Sequence, residues 1–192
     1  MTKIAVVIID MQQAYFNDPT LSSVQDDLIS HCNELISATK KYDLPLFNIR
    51  TEHAPDGSTW TLNMKQDGKD FLLQGSDEVK TVDALDASGA IELVKTRDSA
   101  FFETRLRAQL KQLEVDEIIL CGVSTQSCIA QTAADAYAAN IKVVLAINAI
   151  ASHDPKYHDP LLALLKKEYR QRVMGNDEVI ELMRSRTSTH RK

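Results

Sequence analysis

The sequence has no excess of positive charge, few cysteines and no long apolar run, and each shortage closes a class of function. Lys and Arg number 22 against 27 Asp and Glu, a net charge of −5. A nucleic-acid-binding face would need the opposite balance. No apolar run approaches the roughly 20 residues that cross a bilayer, so a membrane partner is not expected. The first residues, MTKIAVVIIDMQQ, hold a short apolar stretch and no small-residue cleavage site. They read as a first strand, not as a signal peptide. Three irregularly spaced cysteines make no disulfide framework and point to the reducing cytoplasm. No CxxC or HxxH pair marks a structural zinc site. No GxGxxG follows the first strand and no GxxxxGK[ST] exists, so neither a dinucleotide nor a P-loop is indicated. The GxSxG elbow of many serine hydrolases is missing too.

What is present is ordinary in bulk and ordered in pattern. The 192 residues, 44% hydrophobic and 26% charged, suffice for one domain with a real core. Short β-branched runs alternate with helical stripes. Strands are expected at Ile4–Ile9, Leu44–Ile49, Ala90–Val94, Ile118–Cys121, Ile141–Ile147 and Gln171–Met174. Helices are expected at 23–41, at Ser99–Leu113, after Cys128, at Pro160–Tyr169 and at Asp177–Arg184. In the second of these, Phe102, Leu106, Leu110 and Leu113 would share one face, with Thr104 capping the regular part. Crossovers of this length imply parallel strands. The fold class is therefore α/β: a three-layer α/β/α sandwich on a mainly parallel sheet of about six strands. A single domain spans 1–186, with a polar tail at 187–192. Arg50 to Gly89 breaks the alternation, and so long an irregular segment in a compact domain covers a site or an interface. Trp60 and Phe71 either anchor this excursion or line a pocket.

The chain is organised around one corner, Glu117–Ala130, reading EIILCGVSTQSCIA. A buried strand ends at Gly122, Ser124 or Thr125 caps a helix, and Cys128 falls in that helix's first turn. Unpaired N–H groups and the helix dipole there favour a thiolate. Asp10 follows the first strand and Lys95 the third, on the same edge of a parallel sheet, where open α/β folds bind ligands. Taken singly, each has a plainer reading, as turn residue, solvated lysine or packed thiol. Together they make a cysteine hydrolase. A carboxylate takes the thiol proton and returns it to a leaving amine, an ammonium holds both anions, and the sulfur is acylated. Backbone N–H groups of VSTQSC would receive the oxyanion. His153 and His158, in the loop beyond the fifth strand, are further candidates for metal or acid–base roles.

VVIIDMQQAYF (6–16), KTRDSAFFETRL (95–106) and CGVSTQSCIAQTAADAYAANIKVVLAINAIAS (121–152) resemble, in order and spacing, the isochorismatase-like cysteine hydrolases. The resemblance implies a Rossmann-like hydrolase fold, a catalytic Asp10, Lys95 and Cys128, and a non-proline cis peptide between Val123 and Ser124 that serves the oxyanion hole. It also implies that Gln12, Phe16 and Phe101 lie near the pocket, which Trp60 joins as a fourth substrate-site candidate. Nicotinamidases of this family hold a metal through an Asp-x-His pair; here the segment reads IRTEHAPDGSTW, and no metal or other cofactor is expected. The implied activity is hydrolysis of a C–N bond in a small amide, carbamoyl or ureido compound. The alternatives are vinyl-ether hydrolysis of the isochorismatase type with Asp10 as the acid, a nicotinamidase, and a non-catalytic subunit. A homo-oligomer, dimer or tetramer, is the expected assembly.

Overall fold

Ile4, Val6 and Ile8 turn to one face of the central sheet, and Ala5, Val7 and Ile9 to the other. This two-sided burial is why the first strand reads as an unbroken apolar run. The structure, a computed structural model, describes residues 3–188. Its sheet has six strands, all parallel: β1 (Lys3–Ile9), β2 (Leu46–Thr51), β3 (Ile91–Lys95), β4 (Val115–Val123), β5 (Lys142–Ala151) and β6 (Arg172–Met174). They lie in the order β3-β2-β1-β4-β5-β6. The helices are α1 (Pro19–Ser23), α2 (Gln25–Lys41), α3 (Leu62–Asp67), α4 (Leu106–Gln112), α5 (Ala130–Ala138), α6 (His158–Tyr169) and α7 (Asn176–Ser188). Side chains of α2 and α7 cover one face, and those of α4, α5 and α6 the other, giving the expected three layers. The strand order reverses between β1 and β4, and the crevice beyond their carboxyl ends is where such sheets bind ligands. Among the described residues no helix is long and apolar enough to cross a membrane.

Several boundaries depart from expectation for identifiable reasons. β2 starts two residues late and runs to Thr51, because Thr51 pairs with Lys95 of β3. Lys95 is therefore the last residue of its strand, not the one after it. Gly122 lies inside β4 rather than ending it, in register with Ile9. β5 continues through Asn148 to Ala151, past an irregularity in its pairing with β4. Ser99–Leu113 shrinks to α4, and Phe102 is 48% exposed instead of sharing the buried face of Leu106 and Leu110. The cause is local. Ala100 N donates to Thr132 Oγ1, Ser99 Oγ bonds Asp135, and Thr104 Oγ1 donates to the Ala100 carbonyl while accepting from Leu106 N. The first two bonds tie Ser99 and Ala100 to α5, and Thr104 closes the segment locally, before a regular helix starts. α7 runs on to Ser188, so the first two residues of the expected tail are helical. Residues 189–192 of that tail lie outside the described residues.

The 50–89 excursion folds back onto the sheet edge. It carries α3 and two isolated bridges, Gln12 with Thr81 and His53 with Leu73. Leu72 and Val79 bury themselves against Ala14. Phe71 meets the ring of Tyr15 edge-on at 5.5 Å.

Candidate active site

Two backbone devices bring the site together. At Gly122 φ is +110°, and a Cβ there would stand 2.0 Å from the Ile9 carbonyl oxygen. Only glycine lets β4 pass β1 so closely. Directly after Ile9 the chain turns at Asp10 with φ +53°, a left-handed conformation that aspartate tolerates. On the β4 side the Val123–Ser124 peptide is cis. Thr125–Ile129 then forms a π-helical turn, with Ile129 N donating to the Ser124 carbonyl. Ser124 occupies the cap position, but its side chain makes no capping bond. The wide turn puts Cys128 below the sheet edge, facing the ends of β1 and β3.

The three sequence-predicted groups meet there. Lys95 Nζ lies 2.7 Å from Asp10 Oδ2 and 3.4 Å from Cys128 Sγ. All are buried: Asp10 is 0%, Lys95 1% and Cys128 4% exposed. Two residues absent from the sequence reading complete the arrangement. Thr51 Oγ1 accepts from Lys95 at 2.7 Å and donates to Asp10 Oδ1 at 2.9 Å. Tyr15 donates to Asp10 Oδ2 at 3.4 Å. A third, Asp98, places Oδ1 4.0 Å from the sulfur and takes a 2.6 Å hydrogen bond from Gln131 on α5.

The electrostatics correct one expectation. Burial, then the charge of Asp10, push the Cys128 thiol well above its ordinary value, against the downward pull of Lys95. The resting sulfur is a thiol, not the thiolate that the helix-start argument anticipated. Desolvation outweighs the dipole because the sulfur is almost wholly buried. Burial opposes the charge on Lys95, yet the Asp10 carboxylate beside it raises it above its usual value, so it stays an ammonium. Burial followed by the charge of Asp10 keeps the Tyr15 phenol protonated.

The other candidates fall elsewhere or play other parts. Gln12 is fully buried, and its amide is taken up by backbone: Nε2 donates to the Thr51 and Val79 carbonyls, and Oε1 accepts from Thr51 N. It braces the end of β2 and has no donor left for a substrate. Phe16 packs into the α2 side of the core, away from the cluster that holds Cys128. Phe101 does pack against that cluster. Trp60 lies over Gly57 and donates from Nε1 to the Ala54 carbonyl, an anchor for its own loop. His158 Nδ1 bonds Thr125 Oγ1 at 2.8 Å, and exposed His153 bonds Gln126 and Ser124. Both brace the corner from its far side. Nor do the residues after β2 fit a metal. Glu52 pairs with Arg50 at 2.7 Å, and His53 has Nδ1 on the Thr59 carbonyl. Among the described residues no three His, Cys, Asp or Glu side chains converge as ligands.

Sequence could have flagged Thr51 only through its register opposite Lys95. Tyr15 follows Asp10 by five residues in the same motif, but nothing in that spacing turns its hydroxyl back to the carboxylate. Asp98 carries no local signal, since its partners Cys128 and Gln131 are remote in the chain.

A buried cation bridging a carboxylate and a thiol at the switch point of a parallel sheet defines a cysteine-hydrolase-like site. The family profile of the isochorismatase domain matches residues 4–177. The chain therefore belongs to the isochorismatase family, a hydrolase superfamily. YaaI of Bacillus subtilis, an uncharacterised protein of this family, is 24% identical over 180 residues, 92% of this chain and 96% of its own. Nicotinamidase 3 of Arabidopsis thaliana is 27% identical over 161 residues, 82% of this chain and 78% of its own. A cysteine hydrolase of Pseudomonas syringae superposes with a TM-score of 0.87 at 24% identity, covering 95% of this chain and 93% of that one. At that identity the superposition speaks for the fold alone.

Proposed function

We propose that the protein is a metal-independent cysteine amidohydrolase that cleaves a C–N bond in a small amide, carbamoyl or ureido compound. The observation that carries this reading is the position of Lys95 Nζ, within hydrogen-bond reach of both Asp10 and the Cys128 sulfur. As the substrate carbonyl arrives, Asp10 takes the thiol proton and Sγ bonds to the carbonyl carbon. The oxygen becomes an oxyanion, received by N–H groups at Ser124 and Cys128, a contribution of about 3–4 kcal/mol per donor in comparable sites. Collapse breaks the C–N bond, and Asp10 gives its proton to the leaving nitrogen. Water then attacks the thioester, Asp10 takes a proton from it, and the thiol is restored as the acid leaves. Lys95 keeps the charge of the pair balanced while that proton moves. The raised thiol fits this order, because transfer to Asp10 is coupled to attack instead of preceding it.

The relatives include an amide-hydrolysing nicotinamidase, which supports C–N chemistry without naming this substrate. The reading carries with it a small-molecule substrate, a reducing cytoplasmic setting in keeping with three unpaired cysteines, and self-association into a dimer or tetramer. The test is ammonia release from a panel of small amides and ureides by the wild type, Cys128→Ala and Asp10→Asn proteins. Both substitutions should lower kcat by several orders of magnitude. Wild-type-like turnover by Cys128→Ala overturns the mechanism. Ether hydrolysis that survives Cys128→Ala but not Asp10→Asn would establish the isochorismatase-type alternative.

A further inference from the structure

Asp98 is not required by the chemistry just described, yet it stands at the sulfur. It lies three residues beyond Lys95 and is partly exposed, whereas Asp10, Lys95 and Cys128 are buried. Oδ1 is 4.0 Å from Cys128 Sγ, and Oδ2 is held by Gln131 Nε2 at 2.6 Å. Asp10 and Lys95 neutralise one another at 2.7 Å, so they leave little net field at the mouth of the site. Asp98 has no such partner: among the described residues no cation forms an ion pair with it. The neighbouring Arg97 turns its Nη1 onto the Thr59 and Thr96 carbonyls instead. Asp98 is thus a carboxylate that both stands within 4.0 Å of the sulfur and reaches the surface.

We propose that Asp98 is a specificity-determining residue, which selects amides or ureides bearing a cationic nitrogen or outward N–H donors beside the scissile carbonyl, and rejects carboxylate-bearing ones. A cation or an N–H group placed there gains a charge-assisted hydrogen bond to Oδ1. An anionic substituent meets like charge that no ion pair offsets. Gln131 holds the carboxylate in one orientation, so the preference is built in before the substrate arrives. This inference rests on the proposed cysteine chemistry and deepens it.

The experiment uses alkylating agents of matched size and different charge, read by the mass of the peptide bearing Cys128. Iodoacetate is anionic, iodoacetamide neutral and 2-bromoethylamine cationic. Taking the ratio of rates cancels any change in thiol reactivity common to all three. In Asp98→Asn, which keeps the shape and the bond to Gln131, the iodoacetate-to-iodoacetamide ratio should rise about tenfold over wild type. The bromoethylamine-to-iodoacetamide ratio should fall. Ratios unchanged within about twofold overturn the role of Asp98 while leaving the nucleophile intact. A parallel fall with all three reagents overturns it as well, in favour of a structural role. Failure of Cys128 to react with any of them in the wild type overturns the cysteine mechanism itself, and this proposal with it.

Discussion

Thr51 Oγ1 stands between Lys95 Nζ and Asp10 Oδ1, accepting from the first at 2.7 Å and donating to the second at 2.9 Å. The hydroxyl holds Oδ1, so that Oδ2 faces the lysine. Thr51→Val keeps the shape and the ion pair but removes both bonds. We expect kcat to fall about ten- to hundredfold, the usual worth of hydrogen bonds to charged groups, with KM little changed. Thr51→Ser should restore most of the rate. Steady-state kinetics on any substrate found for the wild type would check this, and equal loss in both variants would count against the positioning role.

The Asp10–Lys95 pair is sealed from solvent, and breaking it from one side leaves a bare buried charge. Lys95→Met or Asp10→Asn alone should destabilise the fold by about 3–5 kcal/mol. The double variant should lose clearly less than the sum of the two, since neither charge is then unpaired. Urea unfolding of the four proteins gives the coupling energy directly. Strict additivity would mean that the two groups do not meet.

These two predictions use residues of unequal visibility in the sequence. Asp10, Lys95 and Cys128 were legible because each closes or follows an apolar run, and parallel topology sends all such ends to one edge. Thr51 was not. It looks like any strand-end threonine until β2 and β3 are set in register. The strands themselves were legible because burial on both faces leaves an unbroken β-branched run, as in IAVVII. The helix expected at 99–113 is shorter in the structure for the converse reason. Its apolar spacing is genuine, but polar bonds from Ser99, Ala100 and Thr104 take residues 99–104 out of the helix, and spacing does not register such bonds. The thiol's protonation is not legible either, because a helix start is visible in sequence, whereas burial of the sulfur is not.

Gly122 is where β4 and β1 come closest, and the spacing of the whole site depends on it. An alanine there would press its Cβ to 2.0 Å from the Ile9 carbonyl oxygen, at a φ that alanine resists. Neither strand can yield without moving Asp10 or the cis peptide. Gly122→Ala should therefore cost more than about 4 kcal/mol or prevent folding, as severe backbone clashes do. A thermal melt within a few degrees of wild type would show that the strands separate more readily than their packing implies.

Chelation tests the donor set after β2. Glu52 is taken by Arg50, and His53 uses Nδ1 on the Thr59 carbonyl. Burial first, and then the charges of Arg97 and Lys95, hold His53 below its ordinary value, against the raising effect of its hydrogen bond to the Thr59 carbonyl. It is thus a neutral ring braced in its loop. Turnover should be unchanged after prolonged dialysis against a strong chelator and should not rise on adding zinc or manganese. Loss of activity on chelation, restored by one metal, would show that these side chains rearrange to bind it.

The protonated state of Cys128 has consequences for both labelling and stability. Its folded value is raised, so the native chain keeps the proton over a range in which the unfolded chain releases it. This stabilising contribution is whole below the ordinary thiol value of about 8.5 and is lost as pH rises from there towards the folded value. Over that window it declines by about 1.4 kcal/mol per pH unit. Cys128→Ala should therefore unfold with a shallower alkaline loss of stability than the wild type, by that slope, in urea melts between pH 8.5 and 10. In the wild type without substrate, iodoacetamide labelling of Cys128 should climb steadily through pH 9 with no plateau near neutrality. A plateau below pH 7, with equal alkaline slopes in the two proteins, would mean that Lys95 outweighs burial and that the sulfur rests as an anion.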